Sequence, residues 1–236
     1  CSSATIANPV ELAEKICGKS FACVSHDGSG AAERRYCLVQ PPKIQGKDGN
    51  YYGQESTVAV AAQMLPRLIE EEKSFLAFTR SRRNVEIVLK ETRDRLDQAG
   101  LISGYRGGYT PEERKEIERK MIAGELLGLV STNALELGID IGQISTTVLV
   151  GYPGTRASFW QQTGRAGRSG KGSTSYLILD QQPMDQYIAL EPDWLFANSS
   201  ENAVIDPDNL LIELAHIRAA AAELPLSLED MAVFPD

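Results

Sequence analysis

Two arginines in the stretch Q-Q-T-G-R-A-G-R, residues 161–168, lie three positions apart, and each directly follows a glycine. At 100° per residue, Gln161, Arg165 and Arg168 fall on one narrow stripe of a helix. Two adjacent guanidinium groups repel each other unless an anion lies between them, and planar guanidinium is the preferred partner of phosphate. The spacing therefore predicts a phosphate site, with an exposed arginine pair that meets surface carboxylates as the alternative.

The surroundings of these arginines favour the phosphate site. Gly164 and Gly167 each cost a helix about 1 kcal/mol relative to alanine, which makes sense where a ligand or another backbone comes close. The apolar run at 147–150 and the turn Y-P-G precede the helix. This order places the arginines at the carboxyl edge of a sheet, where α/β proteins bind ligands.

The elements that must position these residues alternate between short apolar runs and helical patterns. Strands are predicted at 21–24, 36–39, 75–78, 127–130, 147–150 and 176–179, and helices at 9–17, 56–72, 83–98, 111–123, 156–168 and 207–223. The near-continuous apolar runs suit strands that are covered on both faces. The alternation predicts a doubly wound, mostly parallel α/β sheet flanked by helices. The D-G-S-G turn predicts a hairpin of the first two strands, and T-P-E-E at 110–113 predicts a capped helix start.

Composition and charge limit the classes of function. The 236 residues are 42% hydrophobic and 24% charged, which is ordinary for a globular protein. The net charge of −8 divides into −11 for residues 180–236 and +3 for the rest, so we expect a polyanion to bind only the first part. No apolar run approaches the roughly 18 residues of a membrane span, and no signal-peptide pattern is visible, so we expect a cytoplasmic protein.

The four cysteines indicate no metal site. Cys1, Cys17, Cys23 and Cys37 show neither C-x-x-C spacing nor close histidines. We therefore expect no zinc, and small buried thiols in a reducing compartment.

Several stretches resemble, in order, the motifs of superfamily 2 helicases. Residues 161–168 resemble motif VI, C-S-S-A-T at 1–5 motif III, F-L-A-F-T-R at 75–80 motif IV, and V-S-T-N-A-L-E-L-G-I-D-I at 130–141 motif V. Y-R-G-G-Y-T-P-E-E-R at 105–114 stands where DEAD-box proteins carry H-G-x-x-x-Q-x-x-R, with arginine in place of the histidine. Together with G-Y-P-G-T, these stretches look like the bacterial MrfA/YprA-type helicases.

The resemblance implies a domain organisation and an activity. Residues 1–7 would end a first RecA-like domain, 8–180 would form a second RecA-like domain, the helicase C-terminal domain, and 181–236 an acidic, partly helical extension. The implied activity is that of a DEAD/DEAH-box ATP-dependent DNA helicase that translocates 3′ to 5′ in DNA repair. We expect the acidic extension to lie away from the nucleic acid, so that truncation after Asp180 leaves binding intact or tighter.

The resemblance also assigns roles to the nucleotide-facing residues. Arg165 and Arg168 would neutralise charge on the γ-phosphate of ATP, and Gln161 would orient that phosphate or the attacking water. Gly138 and Asp140 of motif V would contact the nucleotide, Asp140 at the ribose hydroxyl. For Asp140, an ordinary strand-end carboxylate is the alternative.

The predicted nucleic-acid contacts each follow an apolar run, where hydroxyls and backbone N–H groups would meet phosphates. They are Thr79, Arg80, Arg106, Gly107, Ser131, Thr132 and Asn133. Ser3 and Thr5 of motif III would couple the nucleotide state to domain closure. Phe159 and Trp160 are more typical of a core than of a base-stacking surface.

Two motifs of such motors do not occur in the chain. It contains no G-x-x-x-x-G-K-[ST] and no D-E-x-[DH], so the phosphate cradle and the Mg²⁺ carboxylates would belong to an upstream RecA-like domain. The implied partners are that domain, ATP with Mg²⁺, and single-stranded or duplex DNA. The chain alone is expected to be inactive. An RNA helicase, a non-catalytic nucleic-acid-binding module and a Rossmann dehydrogenase are the alternatives, and the last lacks G-x-G-x-x-G after its first strand.

Overall fold

The computed structural model describes residues 1–3, 5–26, 28, 32–136, 141–167, 170, 172–206, 209–228 and 230. Contacts divide the chain into two compact units. The larger unit is Asp27–Glu201, and the smaller one combines Cys1–His26 with Asn202–Asp236.

The larger unit is built on six strands: β1 (Arg34–Val39), β4 (Phe75–Thr79), β5 (Ile102–Tyr105), β6 (Gly128–Ser131), β7 (Thr146–Val150) and β8 (Ser173–Ile178). They form one sheet in the order β1-β8-β7-β4-β6-β5, and every neighbouring pair is parallel. The carboxyl ends of parallel strands share one edge of the sheet, so the loops that follow them meet there. The predicted mostly parallel, doubly wound fold is confirmed.

Helices cover the sheet, and a short hairpin follows its first strand. The helices are α2 (Thr57–Glu70), α3 (Arg82–Arg93), α4 (Pro111–Ile122), α5 (Arg156–Thr163), α6 (Pro183–Leu190) and α7 (Asp193–Phe196). The hairpin pairs β2 (Lys43–Gln45) with β3 (Tyr51–Gln54). Helix α4 begins at the predicted cap, since Thr110 accepts a bond from the Glu113 N–H and the Glu113 carboxylate accepts one from the Thr110 N–H.

Two apolar clusters lie on the two faces of the sheet. Along β4, Leu76 and Phe78 belong to one cluster, and Phe75 and Ala77 belong to the other. This alternation follows from the two-residue period of a strand. Burial on both faces explains why the central strands read as continuous apolar runs.

Residues beyond 180 contribute to one of these clusters. Ile188 of α6 and Leu195 of α7 are both 0% exposed and lie in the cluster that contains Leu76 and Phe78. Although this segment is acidic overall, one side of its helices is apolar and covers the sheet. A domain boundary at residue 180 stays a prediction.

The smaller unit contains α1 (Pro9–Cys17) and α8 (Leu210–Glu223). The Asn8 side chain joins its two segments, because it donates to the Ala203 carbonyl at 3.0 Å and accepts from the Ala203 N–H at 2.8 Å. Leu210, Leu211 and Leu214 of α8 are exposed. The covering of this apolar stripe by a neighbouring domain stays a prediction.

The predicted strand at 21–24 and its hairpin are wrong. These residues lie outside any strand, and Val24 is 93% exposed. An apolar run of four residues fixes no secondary structure without a strand beside it. The exposure of Cys1, Cys17 and Cys23 also corrects the expectation of buried thiols, whereas Cys37 of β1 is half-buried.

Two predicted helices end earlier than expected. Helix α3 ends at Arg93 rather than at 98, and α5 ends at Thr163 rather than at 168. The glycines that follow α5 are the reason: Gly164 caps the helix, and Gly167 has a φ of +76°. Among the described helices, none combines the length and the apolar character that a membrane crossing requires.

Candidate functional site

A cleft of about 250 Å³ opens at the carboxyl edge of the sheet. Its lining includes Thr79 at the end of β4 and Arg80 after it, Thr132 and Asn133 after β6, and Gly151 after β7. Because β7, β4 and β6 are neighbours, four predicted nucleic-acid residues meet in one place. The Thr132 hydroxyl, the Asn133 amide and the Arg80 guanidinium are groups that donate hydrogen bonds to phosphate oxygens.

The β4 end of the cleft has a fixed shape. The Thr79 hydroxyl donates to the Ser81 carbonyl at 3.0 Å, and the Ser81 hydroxyl accepts from the Asn84 N–H at 3.1 Å as the N-cap of α3. The hydroxyl of Thr79 thus holds the turn that carries Arg80.

The other predicted nucleic-acid residues lie under or beside the cleft. Ser131, the last residue of β6, is 1% exposed, and its hydroxyl finds no hydrogen-bond partner among the described residues. Arg106 follows the neighbouring strand β5, where its guanidinium pairs with Glu86 at 2.8 Å and lies 5.2 Å from the ring centre of Tyr109. Among the described residues, none apart from the chain neighbours of Gly107 comes within 4 Å of the position that a β-carbon would take there. The roles of these three residues stay predictions.

Arg80 is fixed by a residue that sequence reasoning did not assign to the site. Its guanidinium donates to the Asp185 carboxylate at 2.9 Å, and only 2% of the Asp185 side chain is exposed. The other carboxylate oxygen accepts from the Tyr152 and Asp180 N–H groups, each at 2.9 Å. The net charge of residues 180–236 does not distinguish this single buried carboxylate from the other acidic residues of the segment.

The predicted helical stripe is wrong between Gln161 and Arg165, because α5 ends at Thr163, before the first arginine. Arg165 is 7% exposed, and its Nε donates to the Glu136 carbonyl at 3.0 Å. A second guanidinium nitrogen donates to the same oxygen. The Gln162 amide donates to the Glu136 carboxylate at 3.3 Å. Motif VI is thus bonded to motif V through Glu136, which also lines the cleft.

The remaining predicted site residues lie outside the described residues or in the smaller unit. Gly138, Asp140 and Arg168 lie outside the described residues, so their nucleotide contacts stay predictions. Ser3 and Thr5 belong to the smaller unit, where the Thr5 N–H donates to the Ser3 hydroxyl at 3.4 Å.

Aromatic side chains anchor helix α5 in the core. Phe159 is 1% exposed and lies 6.1 Å from Tyr36, measured between ring centres, and Trp160 lies 5.6 Å from the same ring. These rings belong to the apolar cluster on one face of the sheet, so the expectation of a core position is met.

Glu201 caps the start of α5. Its carboxylate accepts from the Arg156 N–H at 2.7 Å and from the Ala157 N–H at 3.0 Å. Burial raises the pKa of Glu201, but the two N–H bonds at the positive end of the helix outweigh burial and hold this pKa below its ordinary value. A second acidic residue from beyond position 180 therefore supports the cleft.

Replacing Glu201 by glutamine should destabilise the fold by about 1 kcal/mol at pH 7, because the charged cap is lost. A carboxylate with a lowered folded-state pKa stabilises the fold above its unfolded pKa, and this stabilisation disappears as the pH falls through the folded pKa. The difference between Glu201→Gln and the parent chain, measured by thermal unfolding, should therefore shrink from pH 7 to below pH 4. Glu191→Gln, an exposed charge-matched control, should show no such gap. A constant gap at all pH values would contradict the assignment.

The model of the helicase conserved C-terminal domain family matches residues 59–170, which include most of α2, all of α3 to α5 and the residues that line the cleft. The uncharacterized ATP-dependent helicase YprA of Bacillus subtilis (strain 168) is 42% identical over 233 residues, which are 98% of this chain and 31% of YprA. ATP-dependent helicase HRQ1 of Saccharomyces cerevisiae is 34% identical over 238 residues, with 96% of this chain and 22% of HRQ1 covered.

A solved helicase structure is similar to this chain as well. The DUF1998 helicase MrfA, in a crystal structure with DNA and AMPPNP, is similar to this chain with a TM-score of 0.86 and 40% identity. That similarity covers 98% of this chain and 32% of MrfA. The chain thus spans about a third or less of the length of YprA, HRQ1 and MrfA.

Proposed function

We propose that this chain, which belongs to the family of helicase conserved C-terminal domains, forms the second motor domain of an ATP-dependent helicase that translocates on DNA. The observation that carries the proposal is the cleft in which Thr79, Arg80, Thr132 and Asn133 meet at the carboxyl edge of the parallel sheet. The DNA in the MrfA crystal structure supports DNA as the polymer.

The cleft suits a nucleic-acid backbone rather than its bases. Its polar groups are hydroxyls, two amides, one guanidinium and the Glu136 carboxylate, and the donors among them position phosphates without reading sequence. Residues 1–179 carry a net charge of +3, so the cleft belongs to the part of the chain that attracts a polyanion. We therefore expect binding that depends on salt and tolerates any sequence.

For the nucleotide, the described residues fit in part. Gln162 and Glu136 line the cleft, and Arg165 lies directly behind them at the same edge of the sheet. Bound ATP with Mg²⁺ would supply the phosphoanhydride whose hydrolysis drives the motor. An upstream RecA-like domain would hold the metal and most phosphate contacts. Arg165 and Arg168 of this chain would neutralise the charge that develops on the transferred phosphoryl group.

The biological setting is proposed from the resemblance to the MrfA/YprA-type helicases. We place the full-length protein in DNA repair and in the cytoplasm, with movement from 3′ to 5′ along one strand.

The test compares ATP hydrolysis by the chain alone with hydrolysis by the full-length protein. The chain should be inactive, because it lacks the phosphate cradle and the metal carboxylates. The full-length protein should hydrolyse ATP, faster with single-stranded DNA than with single-stranded RNA of the same length. It should unwind a duplex with a 3′ tail and leave one with a 5′ tail paired.

Each outcome bears on a separate part of the proposal. Robust hydrolysis by the purified chain would overturn the division of labour between two motor domains. Stronger stimulation by RNA would identify RNA as the polymer. Equal unwinding of both tailed duplexes would remove only the 3′-to-5′ direction.

A further inference from the structure

We propose that Asp185 is a positioning residue, which fixes the guanidinium of Arg80 in the cleft so that it receives a phosphate of the nucleic-acid backbone. This role rests on the proposed nucleic-acid function and adds a component that lies beyond motif VI. It assigns to an acidic residue, 105 positions after Arg80, a part in binding a polyanion.

Both carboxylate oxygens of Asp185 accept hydrogen bonds. One carboxylate oxygen accepts from Arg80, and the other accepts from the N–H groups of Tyr152 and Asp180, all at 2.9 Å. The residue is 1% exposed. A buried carboxylate is tolerated only when it is paired and hydrogen-bonded, and these three bonds meet that need. The two backbone bonds come from the loops that follow β7 and β8, so the carboxylate cannot shift without disturbing the sheet edge.

Gly151 also lies against the guanidinium of Arg80. A β-carbon at position 151 would lie 2.5 Å from a terminal guanidinium nitrogen of Arg80 and 2.9 Å from the central guanidinium carbon. The guanidinium therefore rests against the backbone of the loop after β7. The φ of +88° at Gly151 is a second reason for glycine at this position.

Arg80 remains available to a ligand after these contacts. Its side chain is 39% exposed and lines the cleft with Thr132 and Asn133. A guanidinium carries five N–H donors in a rigid fork, and the Asp185 bond uses one of them. A long side chain that is already held in place loses less freedom when it binds a phosphate. The geometry thus explains how one arginine serves both a buried carboxylate and a phosphate.

The test is a double-mutant cycle in the full-length protein, with the affinity for a fluorescent single-stranded DNA measured at several salt concentrations. Arg80→Ala should weaken binding about tenfold and should reduce the salt slope by about one phosphate contact. Asp185→Asn should weaken binding several-fold, because the amide turns a donor toward Arg80. The double variant should bind as weakly as Arg80→Ala and no more weakly. Glu191→Gln changes the net charge equally at an exposed position and should bind like the parent protein.

A second pair of variants moves Arg80 without touching Asp185. Gly151→Ala should displace the guanidinium and weaken binding several-fold. Gly154→Ala is its matched control, since Gly154 has a φ of +101° in the same loop, but no described residue beyond its chain neighbours lies within 4 Å of the added carbon. This pair keeps the test decisive if Asp185→Asn fails to fold, which thermal unfolding would reveal.

The outcomes distinguish a failure of the proposed nucleic-acid role from a failure of the positioning role of Asp185. If Arg80→Ala binds DNA like the parent protein, the proposed nucleic-acid role of the cleft is wrong. If Arg80→Ala weakens binding but Asp185→Asn weakens it equally in the Arg80→Ala background, Asp185 acts on the fold and not through Arg80. Equal losses in Gly151→Ala and Gly154→Ala would show that backbone strain is the cause, and would overturn the positioning role.

Discussion

Arg165→Ala in the full-length protein is expected to lower DNA-stimulated ATP hydrolysis by about 10³-fold, because an arginine that neutralises the transferred phosphoryl group accounts for at least that factor in related motors. Arg165→Lys should fail as well, since a compact ammonium cannot reproduce the guanidinium fork. Arg168→Ala should have an effect of the same size. DNA binding without nucleotide should survive in all three variants.

The buried position of Arg165 requires a control for stability. Two of its guanidinium nitrogens donate to the Glu136 carbonyl, so alanine leaves a buried acceptor unsatisfied at a cost of about 1–3 kcal/mol. Arg119→Ala is the matched control, because Arg119 is an exposed arginine of α4 that pairs with Glu116 and Glu125. Hydrolysis should be compared at a temperature where thermal unfolding shows every variant to be folded. An Arg165→Ala variant that is folded and hydrolyses ATP normally would refute the role of this arginine.

Thr79, Arg80, Thr132 and Asn133 could be predicted to lie at one edge of the sheet because each prediction needed only local sequence information. An apolar run marks a buried strand, and a polar residue directly after it marks a strand end. Once the strands are parallel, those ends share an edge, so Thr79 and Thr132 come together whatever the remaining structure. The parallel arrangement itself followed from the alternation of strands and helices.

The contacts made by Asp185 and Glu201 could not be predicted in this way. Asp185 reaches Arg80 across 105 positions, and Glu201 reaches Arg156 across 45. Nothing in the local pattern of either acid distinguishes it from its solvated neighbours, and net charge averages over all of them. Strand β5 was missed for a related reason, since I-S-G-Y has two small residues and no apolar run.

Truncation of the chain after Asp180 is expected to abolish cooperative folding, which reverses the expectation drawn from charge alone. The truncation removes Ile188 and Leu195, both 0% exposed, and each buried aliphatic side chain of this kind stabilises a fold by about 2–5 kcal/mol. It also removes the Asp185 carboxylate beneath Arg80 and the Glu201 cap of α5. These losses are comparable with the whole stability of a domain, about 5–15 kcal/mol.

The measurement is thermal unfolding of chains 1–180, 1–201 and 1–236, followed by circular dichroism, with salt-dependent binding of single-stranded DNA as a second readout. Chain 1–201 keeps α6 and α7 and should unfold cooperatively, whereas chain 1–180 should show no transition and no specific binding. Leu195→Ala in the 1–236 chain should cost about 2–5 kcal/mol. Leu190→Ala, the matched control on α6, is 79% exposed and should change stability by less than about 0.5 kcal/mol. If chain 1–180 instead folds and binds DNA more tightly, the helices after 180 only cover the sheet, and repulsion by the acidic segment is the dominant effect.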